Sequence, residues 1–341
     1  MPPKDTTIAS IVLAAGKGTR MKSATPKVLH HVNGVAILQR VLDTLNLAGI
    51  KEHCLILSPE VDGFLPFLKG KPGYQAVIQK NRLGTGDAVA AAAAIFKPHD
   101  IPTFSSSEII AGDGITSEYV LITAADTPAL CPKIIQSFVD QAIASGSSVG
   151  VIGMHQPDPY GYGRLVVNTQ GLEKVVEEKD ASDTERRITL CNTGVIFAKT
   201  EQLFSYLSRT TNQNAQSEFY LTDCFEVARH AGDSVFVFET EEYQRFAGVN
   251  SRSQLVEIEA WLQDQRKRDL LNSGVTINLP NTVYIDETCQ IDTDIIIGAN
   301  CCLLGNTTIG KSSIIGAGTV LNNAKIPQNS VISPGSNISN S

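Results

Sequence analysis

The chain of 341 residues reads as an α/β protein: a Rossmann-like doubly wound sheet covered by helices, followed by a short left-handed hexapeptide-repeat β-helix. Three observations predict this. Up to about Thr200, short β-branched or apolar runs alternate with helical patterns, and that alternation builds a mostly parallel sheet covered by helices. From Leu279 an aliphatic residue returns at every sixth position, namely Leu279, Ile285, Ile291, Ile297, Leu303, Ile309, Ile315 and Leu321. A six-residue period fits neither an α-helix nor a two-faced strand, but it fits a β-helix that turns one aliphatic residue inward per face. Between these parts "SRSQLVEIEAWLQDQRKRDLLNSG" is a charged, amphipathic stretch closed by Gly274 and reads as a connecting helix. The expected boundaries are 1–250, 251–274 and 275–341.

Taken in order, "TIASIVLAA" predicts the first strand, "AILQRVLDTLNLAG" a helix and "EHCLILS" a second strand; later "EYVLITAAD" predicts a strand and "PKIIQSFVDQAIASG" its helix. Ligands of such sheets sit at the carboxyl ends of strands. Gly16, after "LAA", and Asp126, after "LITAA", are therefore expected to face one crevice. The stretch Lys97 to Glu118 is polar and glycine-bearing without clear periodicity, and reads as a surface loop with no chemistry. In the repeat, the position four after each aliphatic residue is small or aliphatic (Val283, Cys289, Ile295, Cys301, Thr307, Ser313, Thr319). At three hexapeptides per turn the run supplies not quite three coils. So short a stack leaves open strand edges, and packing against copies of itself would cover them.

Bulk properties exclude several classes. With 42% hydrophobic residues the chain can bury a full-sized core. Its longest apolar runs fall short of the roughly 20 residues a membrane helix needs, and "MPPKDTT" lacks a signal-peptide layout, so the expected compartment is the cytoplasm. Seven cysteines without CxxC spacing indicate neither a disulfide framework nor a zinc site and read as small buried residues. A net charge of −7 argues against nucleic acid, while leaving room for an anionic small substrate if a few cations are focused in one cleft.

Several motifs carry chemistry. In "LAAGKGTRM", Gly16 and Gly18 bare the backbone where a strand turns, and Arg20 and Lys27 add positive charge. The loop is neither GxGxxG nor a P-loop, and alone it fits a tight turn as well as a phosphate site. In "VIQKNRLGTGDAV", Gln79 could read a base edge, with Gly84 and Thr85 against base or ribose, or the stretch could be only a turn and helix start. Asp126, a lone carboxylate at a strand end, suits Mg²⁺, and equally a helix N-cap. "YGYGRL", "VVEEKDAS" and "LCNTGVIF" set Gly163, Glu177 and Asn192 in or beside strands, where sugar hydroxyls could be bound.

In this order and at these separations, "LAAGKGTRM", "PKVLH", "LGTG", "GYGR", "VEEKDA", "NTG", "SEFYLTD" and "GVNSR" resemble the pyrophosphorylase domain of bacterial N-acetylglucosamine-1-phosphate uridyltransferase, usually joined to a hexapeptide acetyltransferase. The resemblance covers roughly residues 8 to 335. It implies that Leu13, Ala14, Ala15 and Gly16 line a uridine nucleotide, that Arg20 and Lys27 bind its phosphates, and that Gln79, Gly84 and Thr85 surround uracil and ribose. Gly163, Glu177 and Asn192 would lie against the sugar, Asp126 and Asn250 would hold Mg²⁺, and the assembly would be a homotrimer. The implied reaction moves UMP from UTP to N-acetylglucosamine 1-phosphate, with Arg20, Lys27 and Asp126 as the catalytic groups.

Three departures from that pattern stand out. The family usually has Tyr-Gly before the metal aspartate, whereas this chain has Ala124 and Ala125, both in the substrate-binding set; the Ala125 methyl is expected to crowd the cleft and makes another sugar 1-phosphate an alternative. Asp87 replaces a common histidine and reads as a helix-surface change without consequence. No histidine follows His230, so the β-helix lacks the general base of an acetyltransferase and no such activity is expected. A catalytically silent nucleotide-sugar scaffold is the remaining alternative; retention of Arg20, Lys27, Asp126 and Asn250 together speaks against it.

Overall fold

The computed structural model describes residues 6–60, 63–64, 68, 71 and 73–339. It divides into two compact units, Met1–Val28 with Arg40–Gly248, and Leu29–Gln39 with Val249–Ser341. The strands in chain order are β1 (Ile8–Leu13), β2 (His31–Val32), β3 (Val35–Ala36), β4 (Glu52–Leu57), β5 (Tyr74–Gln79), β6 (Ser107–Ala111), β7 (Tyr119–Ala124), β8 (Val149–His155), β9 (Arg164–Asn168), β10 (Gly171–Val176), β11 (Leu190–Lys199) and β12 (Val235–Thr240). The helices are α1 (Ile37–Leu47), α2 (Thr85–Ala91), α3 (Ala93–Phe96), α4 (Pro132–Ser145), α5 (Thr200–Leu207), α6 (Asp223–His230) and α7 (Arg252–Asn272).

In the first unit the path runs β10-β9-β11-β7-β1-β4-β5-β6, with β8 on β11 and β12 on β8. The centre, β7-β1-β4-β5, is parallel throughout. Apolar runs make these strands: Ala9, Ile11 and Val12 of β1 are fully buried, as are Cys54, Leu55 and Ile56 of β4. One polar pair sits inside. Ser10 and His53 are register partners on β1 and β4, and Ser10 Oγ lies 2.8 Å from His53 Nδ1. Burial, then Lys51, pushes the imidazole down to about 4, so it packs as a neutral ring.

The stretch Lys97 to Glu118 departs from the sequence reading. Its Ser107–Ala111 segment is β6, paired antiparallel with β5. Phe104 stacks on Phe219 with centroids 3.9 Å apart, and the Gln75 carboxamide holds both backbone groups of Gly114: its Nε2 donates to Gly114 O at 2.6 Å, and the Gly114 N–H donates to its Oε1 at 3.1 Å. The run concealed a strand because none of its residues is buried and Ile109 is exposed, so what holds β6 is its backbone pairing with β5 and no burial pattern marks it.

The second unit carries the repeat as short strands: β13 (Thr276–Ile277), β14 (Tyr284–Ile285), β15 (Gln290–Ile291), β16 (Ile296–Ile297), β17 (Cys302–Leu304), β18 (Thr308–Ile309), β19 (Ile314–Ile315), β20 (Val320–Asn322), β21 (Lys325–Ile326), β22 (Val331–Ile332) and β23 (Asn337–Ser339). They stack in parallel as three sheets, β13-β16-β19-β22, β14-β17-β20-β23 and β15-β18-β21. This is the left-handed β-helix, longer than the sequence count: three full coils and two strands of a fourth among the described residues. Ile285, Ile297, Leu303, Ile309, Ile315 and Leu321 are buried as expected. Leu279 is not; it is 67% exposed at φ +49, and Ile277 takes the inward position opposite Ile297. The 3-10 turn Pro280–Thr282 lengthens the first step. The third coil is short by one residue, so Ile326 rather than residue 327 continues the stack beside Ile309. Corner residues Thr307, Ser313 and Thr319 are fully buried because each hydroxyl donates to the carbonyl three residues back, at 2.7 Å.

The helix α7 begins as predicted, with Ser251 Oγ accepting from the Gln254 N–H. Within the same unit the β2–β3 hairpin is held from α7: the Asn33 N–H donates to Glu259 Oε1, and Gln263 Nε2 donates to Asn33 Oδ1. This places Leu29–Gln39 with the second unit rather than with the rest of 1–250.

A Cβ on Gly316 would fall 2.4 Å from Pro334 N on the next coil. Gly316→Ala is therefore expected to cost about 1–3 kcal/mol in urea unfolding, whereas Leu279→Asn, exposed and left-handed, should cost nothing. Equal losses for both would contradict this register.

Candidate active site

A parallel sheet brings the carboxyl ends of its strands to one edge, and four of them converge here. A cleft of about 760 Å³ is lined by Leu13–Lys17 after β1, Pro59 and Glu60 after β4, Gln79–Arg82 after β5, and Ala124 and Asp126 after β7, with Gly84 and Thr85 beside them. Gly16 and Asp126 thus share one crevice, as the strand exits imply. Lys17, Lys27, Lys80 and Arg82 line it, against Glu60, Asp126 and Glu218. In a chain of net charge −7 this is a local concentration of cations suited to an anionic ligand.

The loop after β1 is shaped by its second glycine. Gly18 sits at φ +58, and a Cβ there would lie 2.7 Å from the Lys27 Cβ. Any larger residue would push Lys27 away. Lys27 instead reaches Asp126, and the two form an ion pair between side chains only 10% and 17% exposed. Gly16 has open space around it and leaves backbone bare to the cleft.

The second loop owes its glycines to packing. Gly84 sits at φ +119, and a Cβ would lie 2.5 Å from the Phe219 carbonyl oxygen; at Gly86 the distance would be 2.9 Å. The Gly86 N–H donates to Phe219 O and the Phe219 N–H to Leu83 O, both at 2.7 Å, and the Leu221 N–H donates to Thr85 Oγ1. The motif "SEFYLTD" therefore clamps "LGTG". Asp87 corrects the sequence reading: it is fully buried, and its Oδ2 accepts from Gln79 Nε2 at 2.6 Å and from the Leu83 N–H at 3.0 Å. Its partners are distant in neither sequence nor space, but only the fold turns all three inward.

Gly163, Glu177 and Asn192 are also brought together. The Asn192 N–H donates to Gly163 O at 2.8 Å, and a Cβ on Gly163 would touch both Glu177 carboxylate oxygens within 3.5 Å. Thr222 Oγ1 donates to Glu177 Oε1 at 3.0 Å. Burial first, then Asp180 and Glu218, raises the Glu177 carboxyl above its ordinary range against that hydrogen bond. Burial, then Cys191, raises the Tyr162 phenol against a hydrogen bond with Gln156, and the negative charges of Asp126 and Asp158 add to the rise.

The chain matches the family described as MobA-like NTP transferase domain over residues 10–188. It belongs to that family. The matched residues run from β1 past β10 and contain every lining segment of the cleft except Glu218. Curated relatives extend the similarity: a bifunctional protein GlmU of Azorhizobium caulinodans is 37% identical over 90% of this chain and 64% of its own length. Those of Alkaliphilus oremlandii and Streptococcus thermophilus are 35% and 31% identical, over 91% and 95% of this chain and 64% and 66% of theirs. The chain thus spans just under two thirds of the relatives it matches.

Within this NTP transferase fold not every expected residue reaches the cleft. Leu13, Ala14, Ala15, Gly16, Lys27, Gln79, Gly84, Thr85, Ala124 and Asp126 line it. Ala125 does not; it is fully buried with its N–H on Leu13 O, so its methyl does not crowd the cleft. Arg20 is exposed on the 3-10 turn Thr19–Met21 and is outside the lining. Asn250 lies in the second unit, where its N–H donates to Gln254 Oε1. Sequence reasoning missed Lys80, Arg82 and Glu218; the cationic "QKNR" ahead of "LGTG" was the available signal. Arg82 is held at 2.5 Å by Glu60. Among the described residues no three His, Cys, Asp or Glu side chains group to hold a metal, and no helix is long and apolar enough to cross a membrane.

Asp223 of "SEFYLTD" offers a pH test. Burial, then Glu226, Glu177 and Asp180, pushes its carboxyl up to about 6, against the pull of the α6 N-terminus. A raised carboxyl favours the folded state fully below its unfolded value of about 3.8 and loses that contribution as pH rises through about 6. Asp223→Asn should therefore gain stability relative to wild type between pH 4 and pH 7 in urea unfolding. A pH-independent difference would refute this.

Proposed function

We propose that this chain transfers UMP from UTP to N-acetylglucosamine 1-phosphate, giving UDP-N-acetylglucosamine and pyrophosphate. The observation that carries the reading is the convergence of four parallel strand ends on a cation-lined cleft holding the Lys27–Asp126 pair. The ordered motifs, together with the similarity to GlmU proteins, support the sugar nucleotide.

The sugar phosphate oxygen attacks the α-phosphorus of UTP in line; a new P–O bond forms as the bond to the β-phosphate oxygen breaks, and the electron pair leaves with pyrophosphate. A phosphate needs no general base, so the work is positioning polyanions and stabilising charge on leaving oxygens. Lys27, already in the cleft, takes the phosphates, with Lys17, Lys80 and Arg82 adding to the field, and exposed Arg20 reaching the leaving group from the loop. Glu177 and the Asn192 carboxamide accept from and donate to sugar hydroxyls.

Mg²⁺ fits the donor chemistry at Asp126. Its Oδ2 takes Lys27 while Oδ1 carries no hydrogen bond within the described residues, leaving a hard oxygen on the cleft. When bound, the cation would neutralise phosphate charge and lower the barrier to P–O cleavage.

Copies of the chain would assemble through the β-helix unit, a trimer being the expected state. Ile296, Ile314 and Val331 form an exposed apolar ladder on adjacent strands, 41%, 43% and 74% exposed. Sedimentation at a trimer mass supports this, and a monomer at micromolar concentration refutes it.

Pyrophosphate release with Mg²⁺ across UTP, dTTP, CTP and ATP and a panel of sugar 1-phosphates tests the reaction. The highest kcat/KM is expected for UTP with N-acetylglucosamine 1-phosphate, and Lys27→Ala should lower turnover about 10²-fold or more. A larger kcat/KM with another hexose 1-phosphate would move the assignment to that sugar, the reading that Ala124 favours; no release with any pair would refute it.

A further inference from the structure

The Gln79 carboxamide lines the cleft with its hydrogen-bond polarity fixed from behind. Gln79 is 3% exposed and lines the cleft. Its Nε2 donates to Asp87 Oδ2 at 2.6 Å and to the Gly84 carbonyl oxygen at 3.2 Å. A carboxamide has two N–H donors and one oxygen acceptor, so both donors are spent inside the protein. Both partners accept: Gly84 O, and Asp87 Oδ2, which also takes the Leu83 N–H. Reversing the amide would set oxygen against oxygen twice. The remaining polar atom, Gln79 Oε1, carries no hydrogen bond within the described residues and is left for a ligand.

The carboxylate that holds this arrangement is itself braced. Asp87 is fully buried, and its backbone carbonyl accepts from Ser105 Oγ at 3.1 Å. Ser105 precedes β6 in the stretch that pairs with β5. Its neighbour Phe104 stacks on Phe219, whose carbonyl closes on Gly86.

We propose that Asp87 is a positioning residue that sets base selectivity, by fixing Gln79 so that the cleft offers an acceptor and takes a pyrimidine with a protonated N3. Uracil and thymine carry N3–H and can donate to Gln79 Oε1. Cytosine has a lone pair at N3 and would oppose it, leaving two acceptors face to face with water excluded. The inference rests on the reading that Gln79 faces the nucleotide base.

The test is the ratio of kcat/KM for UTP to that for CTP in the pyrophosphate-release assay. Asp87→Leu removes the acceptor and frees the Gln79 amide to turn over; the ratio should fall about 10- to 100-fold, the usual scale for a mispaired buried polar group. Asp87→Asn keeps an oxygen where Oδ2 stands and should hold the ratio within about threefold. Gln79→Met removes the reader itself and, should Asp87→Leu not fold, must lose the same ratio. Equal losses for UTP and CTP in Asp87→Leu, or an unchanged ratio in Gln79→Met, overturn the proposal. A wild type that uses CTP as readily as UTP also overturns it, and leaves nucleotidyl transfer standing. A wild type that uses neither pyrimidine overturns the base-facing reading first and this inference with it.

Discussion

The ion pair between Lys27 and Asp126 is the interaction on which the cleft depends. It joins the loop after β1 to the exit of β7, two segments 99 residues apart in sequence, at the edge where the parallel strands end. Both side chains are largely shielded, so neither could stand there alone without a substantial penalty. The approach is possible because Gly18 has no side chain where Lys27 passes. The lysine and the carboxylate thus stand already placed on the cleft with their charges balanced against each other.

Around this pair the fold separates two kinds of demand. Backbone is bared at Gly16, where nothing else competes for the space, and is consumed at Gly84 and Gly86, where "SEFYLTD" closes on it. The same glycine signature therefore leaves open space in one loop and serves packing in the next. The cations divide in a similar way: Lys27 and Arg82 are tied to carboxylates, while Arg20 is exposed on its turn. Net charge says little about such a site, because the field depends on which few charges the strand ends focus.

Much of this was legible in the sequence, for a physical reason. Alternating β and helical runs demand a parallel sheet, a parallel sheet gathers strand ends, and so Gly16 and Asp126 could be assigned to one crevice before any coordinate. The six-residue period likewise required the β-helix. Illegible features depend on contacts that periodicity does not encode. Leu279 keeps the period and is exposed, because the turn at Pro280 shifts the first step and gives its inward place to Ile277. Asp87 looks like a surface residue of a short helix until Gln79 and Leu83 are seen to need its oxygen. Ala125 lies one residue from the cleft, but strand alternation turns its methyl into the core.

The central claim is that the nucleotide occupies the cleft at the ends of β1, β5 and β7. Backbone hydrogen exchange of the wild-type chain, with and without UTP and Mg²⁺, tests it most directly. The account predicts slowed exchange in Gly16 to Thr19 and in Asn81 to Thr85, both on the cleft and its rim. Protection confined to the β-helix, or none in either loop while nucleotide is bound, would contradict it.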